Sequence, residues 1–271
     1  MVGDTPRLER WLFIAFIAAI GVFLIAPSAI VVAISFSSGR LMTCPLPGFG
    51  THWYHEFFSS RTWMRAVEHS LKIGVISAFL ATTLGTLCAY GMVRSRPKGA
   101  GLIAALILSP LIVPLVITAI GMFMAYRTFD LGAFWGIVAA HTVLALPYVY
   151  ITVWAGLQDI DPVLESAAQS LGAAPHTAML RITFPLMLPS ILAGALFAFV
   201  ASWDEVVVAL FLSTPRVRTL PVVMWDEARQ TIEPTLAAAS SIVTGLSFLI
   251  LLLFLATRRG KSGRPISRSH A

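Results

Sequence analysis

The apolar residues of this chain are gathered into blocks of about 20 with almost no charge, the length an α-helix needs to cross about 30 Å of hydrocarbon. That arrangement fixes the solvent before anything else is known, because most of such a surface faces lipid. Composition agrees. Of 271 residues 57% are apolar and 12% are charged, whereas a soluble domain of this size carries about a quarter charged residues. The length accommodates five to seven spans and leaves no room for a separate soluble domain. The formal charge of +6 raises the question of nucleic acid. Lys and Arg nevertheless sit at the ends of the apolar blocks, as membrane topology requires, so no nucleic-acid partner is expected. Cys44 falls in a loop and Cys88 in a span, near opposite faces of the bilayer, which argues against a disulfide.

The blocks predict an all-α integral membrane protein with six spans, at about 11–35, 67–93, 101–126, 133–155, 188–213 and 235–257. The first block follows Arg7 and Arg10, as a signal peptide would, but runs about 25 residues where a signal's apolar region has about 7–15. It therefore reads as an uncleaved span. Residues 36–66 read as a polar loop dotted with aromatics (Trp53, Tyr54, Phe57, Phe58 and Trp63). Six spans place both termini on one side. Lys and Arg counted over all the loops divide almost evenly, so the orientation leans on Arg94, Arg96 and Lys98 and on the cluster from Arg258 to Arg268, which put that side in the cytoplasm.

Between the fourth and fifth spans lies a polar stretch, 156–187, far longer than a connector needs to be. Asp161 can cap a helix whose first position is Pro162, where the missing N–H does no harm. The run 163–171 then forms a short helix and Gly172 is a natural left-handed stop. Pro175 can start a second short helix, ended by Pro185. Glu165, Ala168 and Gly172 share one face of the first helix, a small and nearly flat face that another protein's groove could approach. A helix lying on lipid headgroups would instead need a Lys/Arg-rich polar face with bulky apolar anchors.

The string ESAAQSLGAAPHTAMLRITFPLMLPS resembles the EAA loop of binding-protein-dependent ABC importer permeases, whose pattern is Glu-Ala-Ala, three residues, Gly, nine residues, Ile-x-Leu-Pro. Gly172, Ile182 and Pro185 fit the spacing, and Phe184 stands where the pattern has Leu. Counted back from Gly172, Ser166 holds the pattern's Glu position and the acid sits one residue earlier, at Glu165. The segments HWYHEFF, LPYVYITVWAGL and SWDEVVVALFLSTP are similar to the second permease subunit of spermidine/putrescine-type importers. This resemblance implies a type I importer: a second permease subunit, two copies of a cytosolic ATPase and a periplasmic binding protein around a multi-pass inner-membrane subunit. It assigns ATPase coupling to Glu165, Ser166, Ala167, Ala168 and Gly172. No G-x-x-x-x-G-K-[ST] phosphate loop occurs in the chain. ATP and magnesium are therefore expected on the partner ATPase, with no cofactor here.

Asp204 and Glu205 interrupt the fifth span, roughly 24 Å from its cytoplasmic end at about 1.5 Å per residue. A carboxylate at the bilayer centre costs about 2.5–3.5 kcal/mol, and less this far out, so two adjacent acids facing lipid are disfavoured. Successive helix residues point about 100° apart, one toward a cavity and the other toward a neighbouring helix. They read as a site for a cationic solute, or as partners of Lys or Arg across a subunit interface. Trp203 and Trp53 could stack on an ammonium group or anchor the chain at the interface. Polyamine-type permeases often carry a further acid at the start of span three, where this chain has Leu111 and Leu115. That suggests a smaller or less charged solute, such as putrescine, a monocationic amine or a zwitterionic amino acid. Pro110 and Pro114 can bend that span or free carbonyls to line a polar path. His69 and His141 read as packed or hydrogen-bonded residues. No metal-ligand spacing or nucleophile–base constellation is visible, so the chain is not expected to be an enzyme. The competing reading is an ion-driven secondary transporter of small organic cations, which would show inverted repeats with interrupted spans in matching positions.

Overall fold

The computed structural model describes residues 7–40, 47–95, 97–230 and 233–259. Cys44, Arg96, Lys261, Arg264 and Arg268 lie outside the described residues. Within them the chain is all-α, and its only β features are two isolated bridges, Ser37 with Phe49 and Thr214 with Val217. In chain order the helices are α1 (Arg7–Ser35), α2 (His52–Ser59), α3 (Arg61–Ser95), α4 (Ala100–Ile112), α5 (Leu115–Phe129) and α6 (Gly132–Gln158). Then come α7 (Val163–Ser170), α8 (Pro175–Ala178), a π-helical turn (Met179–Thr183), α9 (Phe184–Trp203), α10 (Val207–Leu212), α11 (Leu220–Gln230) and α12 (Pro234–Arg259).

Among the described residues four stretches are long and apolar enough to cross a bilayer: Arg10–Ser35, α3, α6 and the continuous run Pro175–Trp203. A fifth crossing requires α4 and α5 together, and these meet at 107°. The stretch expected to span at 101–126 is thus sharply bent, as Pro110 and Pro114 allow, and the cause is local. Val113 precedes a proline and takes an extended conformation (φ −73°, ψ 134°). Pro114 then starts α5 without an N–H to return to the preceding turn. In α12 the stretch Pro234–Leu249 is a shorter apolar helix.

The span expected at 188–213 is also interrupted. Helix α9 stops at Trp203, residues 204–206 leave the helix, and α10 begins at Val207. Pro185 does not end a helix as expected. It sits in the first turn of α9, directly after the π-helical turn in which the N–H of Phe184 reaches back to Met179 O. A widened turn leaves fewer regular bonds for a proline to break. Where a loop was expected at 36–66, the described residues form α2, and α3 starts at Arg61. Helix α11 carries acidic and basic residues between apolar ones and was not anticipated.

The chain divides into two compact units, residues 1–61 with 226–271, and residues 62–225. In the first, α12 packs on α1 and α2. The Ser35 hydroxyl and the Tyr54 hydroxyl lie 2.7 Å apart, and the Trp53 indole N–H donates to Ser37 O at 2.7 Å. In the second, α6 is the central post. Ala78, Ala81 and Ala89 of α3, Val149, Val153 and Leu157 of α6, and Met187 and Ile191 of α9 form one buried cluster. Small residues make this approach possible. A Cβ on Gly85 would lie 2.8 Å from Val149, and one on Gly194 would lie 3.2 Å from the backbone of the same valine. A second cluster joins Ile73, Ala119, Ile137, Val138, Val208 and Leu212, so that α10 is held by α5 and α6.

Candidate functional site

The stretch between α6 and α9 is built by helix-end chemistry. Asp161 Oδ1 accepts the N–H of Val163 at 2.9 Å, a side-chain cap with Pro162 in the following position. At the other end the N–H of Gly172 donates to Gln169 O at 2.9 Å and that of Ala173 to Ala168 O at 3.0 Å. This is the six-to-one and five-to-two pair of a Schellman stop. Gly172 takes the left-handed conformation (φ +91°) that the stop requires. A Cβ there would meet nothing within 4 Å, so conformation and not crowding selects glycine.

The three residues expected to share a docking face on α7 differ in exposure. Glu165 points inward and is 8% exposed, while Val163, Leu164, Ser166, Ala167 and Leu171 are open to solvent. Ala168 is half-buried and Gly172 exposed. Glu165 accepts from Arg94 Nε at 3.0 Å and from Tyr90 OH at 3.2 Å, and the Thr183 hydroxyl donates to it as well. Arg94 also donates to Ile160 O at 3.4 Å. The polar partners come from the end of α3 and from the π-helical turn. Arg94 reads from sequence only as a topology charge, and nothing in the local pattern marks Tyr90 or Thr183.

The second group lies where two helix breaks meet. Residues beside the α4–α5 break (Pro110, Leu111, Val113, Leu115) and beside the α9–α10 break (Ala201, Asp204, Glu205, Val206, Val207) line a cleft of about 460 Å³, with Leu144 and Tyr148 of α6. The two acids have different surroundings. Glu205 is 9% exposed, and its carboxylate accepts the N–H groups of Val208 and Ala209, both at 2.9 Å, capping α10. The Nε2 of buried His141 lies 3.4 Å from Glu205 Oε2, and its Nδ1 is 2.7 Å from the Ser202 hydroxyl. Asp204 is exposed at the cleft. Leu111 and Leu115 both line this cleft, so the positions where a further acid was looked for do face it.

Trp203 is buried and stacks on Phe199 of the same helix at 5.7 Å between ring centres. Trp53 belongs to the first unit, where it is buried with its N–H taken by Ser37. His69 Nδ1 lies 3.3 Å from Arg218 O. Among the described residues no group of three or more His, Cys, Asp or Glu side chains could hold a metal ion.

A family model described as "Binding-protein-dependent transport system inner membrane component" matches residues 81–260. The chain is 33% identical over 231 residues to the putrescine transport system permease protein PotI of Escherichia coli K12, covering 82% of each chain. It is 29% identical over 248 residues to the spermidine/putrescine transport system permease protein PotC of the same organism, covering 91% of this chain and 94% of that one. A crystal structure of a bacterial ABC transporter involved in import of the acidic polysaccharide alginate shares the fold, with a TM-score of 0.73 at 16% identity, over 94% of this chain and 97% of that chain.

Proposed function

The chain belongs to the binding-protein-dependent transport system inner membrane component family, and from that premise we propose that it forms half of the translocation pathway of an ABC importer for a small cationic or zwitterionic nitrogenous solute. It is a permease subunit of the inner membrane and not an enzyme. The six crossings are α1, α3, the bent pair α4–α5, α6, α9 with α10, and α12. Both termini and the stretch 156–187 face the cytoplasm. A second permease subunit, two copies of a cytosolic ATPase and a periplasmic binding protein complete the assembly, and the ATPase holds ATP and magnesium.

The observation that carries coupling is α7: a capped, eight-residue helix standing between two apolar runs. Its solvent face offers Ser166 and Ala167 to the ATPase, and Glu165, Ala168 and Gly172 give the helix its position and its stop. The solute reading rests on the cleft. Glu205 spends its carboxylate on α10 and leaves Asp204 as the open charge, with Leu111 and Leu115 opposite. A fixed charge in a low-dielectric cleft favours a cation. One open carboxylate suits one ammonium group, as in a monocationic amine, a zwitterionic amino acid or one end of putrescine. Two unlike helix breaks lining one cleft do not make the ion-driven alternative, whose matching inverted repeats the family membership disfavours.

The test is solute retention by the cognate binding protein, measured by calorimetry, followed by ATP-dependent uptake of the retained solute into proteoliposomes holding the assembled complex. Retention of a cationic or zwitterionic amine, with uptake that requires this chain, is the expected result. Retention only of anionic or neutral sugars would overturn the solute reading. Uptake that ignores ATP and follows an ion gradient would overturn the importer reading.

A further inference from the structure

Glu165 receives more polar contacts than any docking role asks of it. A carboxylate offers about four lone-pair positions, and three are taken here by Tyr90, Arg94 and Thr183. The Arg94 and Glu165 side chains are 14% and 11% exposed. A buried ion pair is weak evidence for stability, since desolvation offsets much of the attraction, but it fixes geometry. What it fixes here is the place of α7 against two other elements. Tyr90 and Arg94 lie one turn apart near the end of α3. Thr183 closes the π-helical turn that runs without interruption into α9. The 20 residues of α9 then extend about 30 Å to Trp203, and the cleft acid Asp204 follows immediately.

Resting on the permease reading, we propose that Glu165 is a positioning residue, a clamp that makes α7, the end of α3 and the root of α9 move together, so that displacement of α7 by the ATPase reaches the cleft along α9. In this arrangement Glu165 does not touch the ATPase. A bond from α7 to the root of α9 delivers motion to the helix break beside Asp204, whereas the covalent link through 171–174 alone would let α7 swivel. The π-helical turn suits this role, because such turns interrupt the regular ladder and are frequent at functional sites. Coupling is an energy between sites and is measured as one.

The experiment compares Glu165→Gln, Arg94→Gln, the double variant and Thr183→Val in the complete complex in nanodiscs, with the loaded binding protein. ATPase retained, melting temperature and solute moved per ATP are read on one preparation. The clamp predicts an ATPase retained in normal ratio and transport per ATP reduced at least about fivefold in each single glutamine variant. The double variant should be no worse than the poorer single one, because both remove the same interaction. If the glutamine variants do not assemble, Thr183→Val decides, since it keeps the ion pair and removes only the link to the root of α9. A lowered transport per ATP in that variant supports the clamp. Unchanged transport per ATP in every assembled variant overturns it, as does a loss that follows the amount of assembled complex one for one. A wild-type complex that shows no ATP-driven uptake fails the permease reading instead, and the wild-type control separates the two.

Discussion

Asp204 and Glu205 are neighbours in sequence with opposite attachments. Glu205 closes the N-terminal end of α10 with both oxygens and lies against His141, whereas Asp204 stands open at the cleft. Their substitutions therefore separate. Glu205→Ala removes a cap worth about 0.5–2 kcal/mol and leaves two N–H groups of α10 without their acceptor. The expected outcome is less assembled protein and a lower melting temperature, followed by fluorescence-detected gel filtration. Asp204→Asn keeps size and one acceptor, so assembly stays normal while uptake of a cationic solute falls at limiting concentration. Full uptake in well-assembled Asp204→Asn would remove Asp204 from the pathway. The sequence showed two acids in an apolar run that face apart, but not which of them faces the cleft nor that the other is a cap, because a helix wheel treats 204–206 as helical. The break that turns Glu205 into a cap exists only once α10 is seated on α5 and α6.

Helix α7 was largely legible from local chemistry. Asp161, Pro162 and Gly172 act within their own turns, and short-range capping follows from residue type and spacing. Which way the helix faces was not legible, since the inward pull on Glu165 comes from Arg94, 71 positions earlier, and Thr183, 18 later. Gly172 offers a graded test. A β-branched residue at φ +91° bears left-handed strain of about 1–2 kcal/mol with no clash to add to it. Gly172→Val should weaken retention of the ATPase and its transport-linked hydrolysis. Gly172→Asn should do so less, because asparagine tolerates that conformation. Equal behaviour of the two variants in pull-down and hydrolysis would show that the stop does not matter to coupling. Gly85 tests packing instead. A leucine there would place its Cβ 2.8 Å from Val149, and overpacking of this kind costs about 1–3 kcal/mol. Gly85→Leu should lower the melting temperature of the purified chain, and an unchanged value would mean that α3 and α6 can part freely.

Across the whole molecule the topology is the most direct thing to measure. In a variant lacking Cys44 and Cys88, a cysteine at Ser60 should react with an impermeant reagent from the periplasm. Cysteines at His176 and Ser267 should react only when the cytoplasmic side is opened. The reverse pattern would place 156–187 away from any cytosolic ATPase and would end the coupling proposal. Sequence by itself determined that the chain is built mainly on apolar helices, roughly where its long helices lie, and the family it belongs to. Those depend on properties a segment carries alone: about 20 uncharged residues to match hydrocarbon, caps that act within one turn, a motif of fixed spacing. Only the tertiary structure decided that α4 and α5 meet at 107°, that α9 and α10 part at the acids, and that Glu165 turns inward to Arg94. The physical reason is the same in each case. A proline permits a bend without setting its angle, and a carboxylate accepts whichever donors the fold brings to it. Those outcomes are fixed by partners tens of residues away, which meet only when the helices pack.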